Sequence, residues 1–246
     1  MVVVSFFSGS KGGVGKSTLS ALVSLITSLK YRTLVLDISG RGASALLLPH
    51  KLDSAQCIDD IFRGIYTKLK IYNISRDVKI RTGGLFRRAV DVMKVSVDVI
   101  PSREPIPPDP HALSLLVNVV KYELARRYDV VILDMPTLPL SSFSKVEANF
   151  MNLLLASDRV FIVAEYGKHD VFDQFTDIPV LTFRVLNKVI SQQDIKTVKA
   201  DVLVPFIAPL CQSIEFFIDV ALRSIDVFPQ LRDAVIKLVK LIFYPS

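Results

Sequence analysis

Ten residues near the start of the chain, Gly9 to Thr18 (GSKGGVGKST), combine the residue types that hold a polyphosphate. Glycines let consecutive backbone N–H groups turn inward on phosphate oxygens, a lysine ammonium neutralises the outer oxygens, and a hydroxyl reaches Mg²⁺. Gly12, Gly13, Val14 and Gly15 supply the cradle, Lys16 the ammonium, and Ser17 and Thr18 the hydroxyls, with Ser17 placed to touch the metal. A second stretch, YDVVILDMPT at Tyr128 to Thr137, is an apolar run that closes on Asp134. Such a run fits a fully buried parallel strand that delivers a carboxylate to the edge of a sheet, where it can hold Mg²⁺ through water. A strand-end aspartate can also simply cap the next turn. Asp37 ends a shorter run of the same kind, Thr33 to Leu36.

A phosphate loop works only between a strand and a helix, and both are expected here. Val2 to Phe7 is apolar and β-branched, and Leu19, Leu22, Val23, Ile26 and Leu29 recur at helical spacing after the loop. Further strands are expected at Val95–Ile100, Arg159–Glu165, Leu181–Val189 and Val202–Phe206, and helices at Ile58–Tyr66, His111–Arg127 and Glu147–Ala156. Pro101, Pro105, Pro107, Pro108 and Pro110 imply an extended connection. The crossover from Gly167 to Pro179 is short for a full helix, and His50 to Lys94 is the least regular stretch, with a turn at Thr82-Gly83-Gly84. A last helix carries Leu231, Val235, Leu238, Val239, Ile242 and Phe243 on one stripe, suited to packing on the sheet or, as a basic amphipathic helix, to a membrane surface. Strands alternating with helices imply a doubly wound, largely parallel α/β sheet with helices on both faces, and the 246 residues suit a single domain.

Read whole, KGGVGKST resembles the deviant Walker A motif of the ParA and MinD superfamily of ATPases, whose pattern K-G-G-x-x-K-[ST] needs no glycine at Ser10. The resemblance implies ATP and Mg²⁺ as cofactors, a homodimer formed around ATP, and a role for Lys11 in reaching the partner's nucleotide. A lysine there could otherwise only add positive field. LDISGRGAS falls where the family carries D-x-D-P-Q-G: Asp37 matches the first aspartate, but Ser39, Gly40 and Arg41 replace the next three matched residues. A serine hydroxyl can hydrogen-bond a water but brings no charge to hold it against a phosphate, so slow or absent hydrolysis is expected. Arg41 could add charge at the phosphates or face water. YDVVILDMPT looks like the family's YDxVIIDxPP, which makes Asp134 the Walker B residue. LTFRVLNKV resembles the strand whose closing asparagine reads adenine, a role that passes to Asn187.

Composition narrows the partners. No apolar run is long enough to span a bilayer, and the first residues lack the basic start of a signal peptide, so a cytoplasmic protein is expected. Cys57 and Cys211 are too few for a disulfide framework or metal cage. Between Arg63 and Lys94 nine basic residues face two acids, so that this segment carries +7 of a net charge of +6 and leaves the rest at −1. Such a cluster can be a footprint for DNA phosphates or anionic lipid, or a solvated surface. The resemblance is closest in type to ParA-like DNA partition proteins, with a partner protein that activates hydrolysis left open. A MinD-like membrane-associated positioning ATPase and a non-hydrolysing ATP-binding adaptor are the alternatives.

Overall fold

The computed structural model describes residues 1–9, 12–82, 89–106, 109–137, 145–175, 178–191, 198–212 and 214–244, with backbone alone for 79–82, 89–91 and 145–149. Lys11, Ser10 and the Gly83-Gly84 turn lie outside the described residues. The strands are β1 Val2–Ser8, β2 Thr33–Asp37, β3 Tyr72–Thr82, β4 Ala89–Ile100, β5 Val130–Thr137, β6 Arg159–Glu165, β7 Leu181–Val189 and β8 Val202–Pro205. They form one eight-stranded sheet in the order β3-β4-β2-β5-β1-β6-β7-β8. Every pairing is parallel except that of β3 with β4.

The central strands are apolar on both faces because both are covered. Val4, Phe6, Val35 and Ile132 join one core, whereas Val3, Phe7, Leu36 and Leu133 join the other. The first face is covered by α1 (Lys16–Thr27) and by helices Phe217–Val227 and Pro229–Phe243; the second by Pro110–Asn118 and Lys145–Leu155. The expected doubly wound architecture is the observed one. In the last helix Leu231, Val235, Leu238 and Ile242 are buried, so its apolar stripe packs in the core. Among the described residues no helix is long and apolar enough to cross a membrane.

Several local expectations change. The helix expected over Ile58–Tyr66 stops at Phe62, and Gly64 follows with a φ of 75°. Pro110 begins a helix rather than ending a loop: Asp109 caps it by accepting from the Ala112 N–H at 2.8 Å, and proline at the first turn forfeits no intrahelical bond. That helix does not run evenly to Arg127 but passes through a π-helical turn at Val119–Glu123 and a 3₁₀ turn at Leu124–Arg126. The largest correction is the stretch from His50 to Lys94, part of which is a long antiparallel hairpin in register from Tyr72↔Val99 to Thr82↔Ala89. β4 thus starts at Ala89, six residues before the expected Val95.

Candidate functional site

The glycine loop connects β1, central in the sheet, to α1, and its backbone demands glycine. Gly13 and Gly15 take φ values of 77° and 89°, in the left-handed region that side chains disfavour. At Gly15, which caps α1, a Cβ would also stand 2.2 Å from Asn187 Nδ2. α1 has no acid in its first turn, so its N-terminal amides and dipole stay available for an anion.

Lys16 is buried, with its Nζ 3.0 Å from Asp134 Oδ1. Asp134 is fully buried inside β5, which runs on to Thr137 rather than closing at the aspartate; it also accepts from Ser20 Oγ at 3.3 Å, Ser39 Oγ at 3.3 Å and the Ala43 N–H at 2.8 Å. Asp37 closes β2 directly beside it, the two residues being register partners. Its carboxylate accepts from the Ser39 N–H at 2.9 Å, Ser39 Oγ at 2.8 Å and the Ser44 N–H at 2.9 Å. Burial, and then the charge of Asp134, push the Asp37 carboxyl up to about 6, against the pull of hydrogen bonds from Ser44 and Ser39.

A cavity of about 350 Å³ opens above these groups, lined by Ser8, Gly13 to Thr18, Ser39, Gly40, Gly42 and Thr137. Two observations fit it to a phosphate-bound Mg²⁺. Ser8 Oγ is buried with no hydrogen-bond partner. At Gly42 an added Cβ would meet Ser39 Oγ at 2.1 Å, Asp134 Oδ2 at 2.3 Å and Ser17 Oγ at 2.8 Å, so three oxygens converge on one small space. Hard-cation chemistry uses such oxygens, and Mg²⁺ takes one or two protein groups with phosphates and water completing its shell. Among the described residues no cluster of three or more His, Cys, Asp or Glu could cage a metal without that help.

The structure therefore brings together the loop, Lys16, Ser17, Thr18 and Asp134. Neither Asp134 nor Asp37 lines the cavity itself; Asp134 meets it through Lys16 and Ser39, and Asp37 through Ser39. Asn187 meets the loop from the far side, donating from Nδ2 to the Val14 carbonyl at 2.8 Å. Arg41 turns away from the phosphate cavity, exposed, and pairs with Asp53 at 2.6 Å. Gly42 and Ser8 escaped sequence reasoning, although Gly42 stands at the closing glycine of the D-x-D-P-Q-G pattern; Ser8 belongs to no spaced motif. Ser20 carried a signal, four residues after Lys16 and so on the same face of α1.

The family model described as an AAA domain matches residues 2–172. No curated protein sequence matches the chain. Among solved structures, MinD of Pyrococcus horikoshii OT3 complexed with Mg-ADP superposes with a TM-score of 0.62 at 17% identity, covering 99% of this chain and 96% of that one. A putative plasmid partition protein of Borrelia burgdorferi B31 bound to AMPPNP gives 0.55 at 17% identity, covering 87% and 88%. Apo McdA of Cyanthece gives 0.62 at 12% identity, covering 96% and 98%. At such identities these structures speak to the fold, while the model match covers well over half of the sequence. On that match and on the deviant loop seated at the centre of this sheet, the chain belongs to the AAA-domain family and to the ParA/MinD superfamily of P-loop ATPases.

Proposed function

We propose that the protein is a cytoplasmic, single-domain, ATP-dependent dimerising switch of the ParA type, which binds DNA without sequence preference and acts in DNA partition, turning ATP over slowly. The observation that carries the nucleotide part is the convergence of Ser17, Ser39 and Asp134 oxygens beside the glycine loop, with Lys16 buried next to them. Bound Mg²⁺ would supply charge neutralisation at the phosphates. Ser17 would touch it directly and Asp134 through water, while Lys16 exchanges Asp134 for a phosphate oxygen. Asp37 holds Ser39 and the turn to Ser44 in place. Lys11, by the family resemblance, would reach the partner's nucleotide, and Asn187 would read the adenine.

DNA is favoured over membrane by two features. Arg76 and Lys94 are exposed on the β3–β4 hairpin, and Lys79 and Arg81 occupy register positions farther along it. The last helix spends its apolar stripe in the core, leaving little for a lipid surface. The MinD of Pyrococcus horikoshii and the Borrelia protein carry adenine nucleotides in their structures, which supports the choice of ATP. A second reading, an ATP-binding adaptor that does not turn over, is favoured by Ser39: its hydroxyl is engaged with Asp37 and Asp134.

Sizing with ATP, ADP and no nucleotide, on the parent and Lys11→Ala, tests the switch. An ATP-dependent dimer lost in the variant is expected, and a monomer under every nucleotide would overturn the proposal. DNA binding at rising salt tests the surface, because contacts to phosphates must weaken as salt rises. Sedimentation with anionic vesicles but not with DNA would instead favour the membrane.

A further inference from the structure

β7 departs from a regular strand at its end. Its pairing with β8 runs Leu186↔Leu203 and then Val189↔Pro205, so β7 spends one more residue than its neighbour, as in a β-bulge. Within that bulge Lys188 has a φ of 58°, one of only two non-glycine residues in the left-handed region among those described. In a regular strand Asn187 and Lys188 would point to opposite faces. The bulge and the left-handed residue re-aim them, and both reach the glycine loop: Asn187 Nδ2 donates to the Val14 carbonyl at 2.8 Å and Lys188 Nζ to the Gly13 carbonyl at 2.5 Å. Glu165, at the end of β6 and in register with Asn187, holds Lys188 Nζ at 2.8 Å and is itself bonded by Lys168.

We infer that Asn187 and Lys188 form a clamp that holds two successive loop carbonyls from behind and thereby keeps the loop amides turned toward the phosphates, with Lys188 as a positioning residue and Glu165 as its anchor. The physical reason is the geometry of a peptide. Its C=O and N–H point in opposite directions, so fixing the carbonyls of Gly13 and Val14 on one side directs the following N–H groups to the other. An unliganded glycine loop otherwise has wide backbone freedom, which binding must remove. Two donors that hold the loop lower that cost, and a charged donor to a carbonyl is stronger than a neutral one. A non-glycine residue in a strained backbone region persists where its surroundings enforce it, and such residues cluster at ligand clamps.

The clamp rests on the nucleotide-binding reading above but acts on the phosphates, not on the base. Calorimetric binding of Mg-ADP and of Mg-pyrophosphate is to be compared for the full chain and for Lys188→Met, Lys188→Gly and Lys188→Arg. Lys188→Gly keeps the left-handed backbone without strain, so it is expected to melt no lower than the parent. Even so, Lys188→Met and Lys188→Gly should bind both probes about tenfold more weakly, the loss of one charge-assisted hydrogen bond, with Lys188→Arg closer to the parent. In the free protein, ¹⁵N order parameters of Val14 and Gly15 should fall from about 0.85 toward flexible values in the same two variants. Parent-like affinity and parent-like order in Lys188→Gly would overturn the clamp, as would a loss for ADP that spares pyrophosphate, which would place Lys188 at the base or ribose. If the parent binds neither probe, the nucleotide reading fails, and the order parameters alone still decide the clamp.

Discussion

Two aspartates are register partners on neighbouring strands, both fully buried, and they live in opposite electrostatic worlds. Asp134 within β5 faces an ammonium, that of Lys16, at 3.0 Å. Asp37 at the end of β2 faces serine hydroxyls and backbone N–H groups, and its nearest charge is the like charge of Asp134. The first is a carboxylate paired with a cation which, on the proposed nucleotide reading, would exchange it for phosphate. The second is a loop organiser whose ionisation the fold opposes. Residue type and sheet register are the same in both, so the role follows from which helix end or turn packs above each strand.

The sharpest way to break this contrast is to remove the cation. Lys16→Met leaves Asp134 buried beside Asp37 with no counter-charge, and a stability loss of about 3 kcal/mol is expected in chemical denaturation. Nucleotide affinity in the same variant should fall by about a hundredfold or more, read by calorimetry. A variant as stable as the parent would show that Asp134 does not depend on Lys16.

Asp37 should show itself through pH. Its folded carboxyl is raised to about 6 from an ordinary 3.8. Below about 4 it is protonated in both states and its contribution to stability is fully present; as pH rises through about 6 the folded protein must ionise a buried group and the contribution is lost. The expected loss is on the order of 2–3 kcal/mol between pH 4 and pH 7. Asp37→Asn should flatten that part of the stability profile measured by denaturant titration at each pH. An unchanged profile would mean that another group titrates there.

Ser39 sits between the two carboxylates, and substitutions there probe smaller effects. Ser39→Asp restores the family's acid and should raise ATP turnover about tenfold in a phosphate-release assay, while costing about 1 kcal/mol of stability for a third carboxylate in the cluster. Equal turnover in the two proteins would sink the link between Ser39 and slow hydrolysis. Ser39→Ala, which deletes hydroxyl bonds to Asp37 and Asp134, should cost about 1 kcal/mol and leave nucleotide affinity within a few-fold of the parent. A large affinity loss instead would place the hydroxyl on the metal.

The hairpin and the central strands show how much could be read in advance. β1 and β7 are short-range facts, runs of apolar residues whose bounds agree with the observed strands to within two residues, whereas β5 runs three residues past the Asp134 on which its apolar run closes. β3 was hidden although its residues alternate, because Arg76 interrupts the apolar series Tyr72, Ile74 and Val78. What makes Tyr72–Thr82 a strand is its ladder with β4, and a ladder is a pairing between distant residues. The helix at Phe217–Val227, likewise unforeseen, is specified by the face it covers.

Residue types and spacing alone determined the phosphate loop from Gly9 to Thr18, the aspartates Asp37 and Asp134 closing their apolar runs, the alternation of strands and helices, and the absence of an acid at Ser39. These follow from chemistry and periodicity within a few residues, which a sequence carries directly. Only the tertiary structure decided that Lys16 spends its charge on Asp134, that Asp37 is buried without a cation, that Gly42 leaves room for three converging oxygens, and that Lys188 bends out of its strand to grip the loop. Each of those depends on which strands are neighbours and in what register, and register is set by packing across the whole sheet.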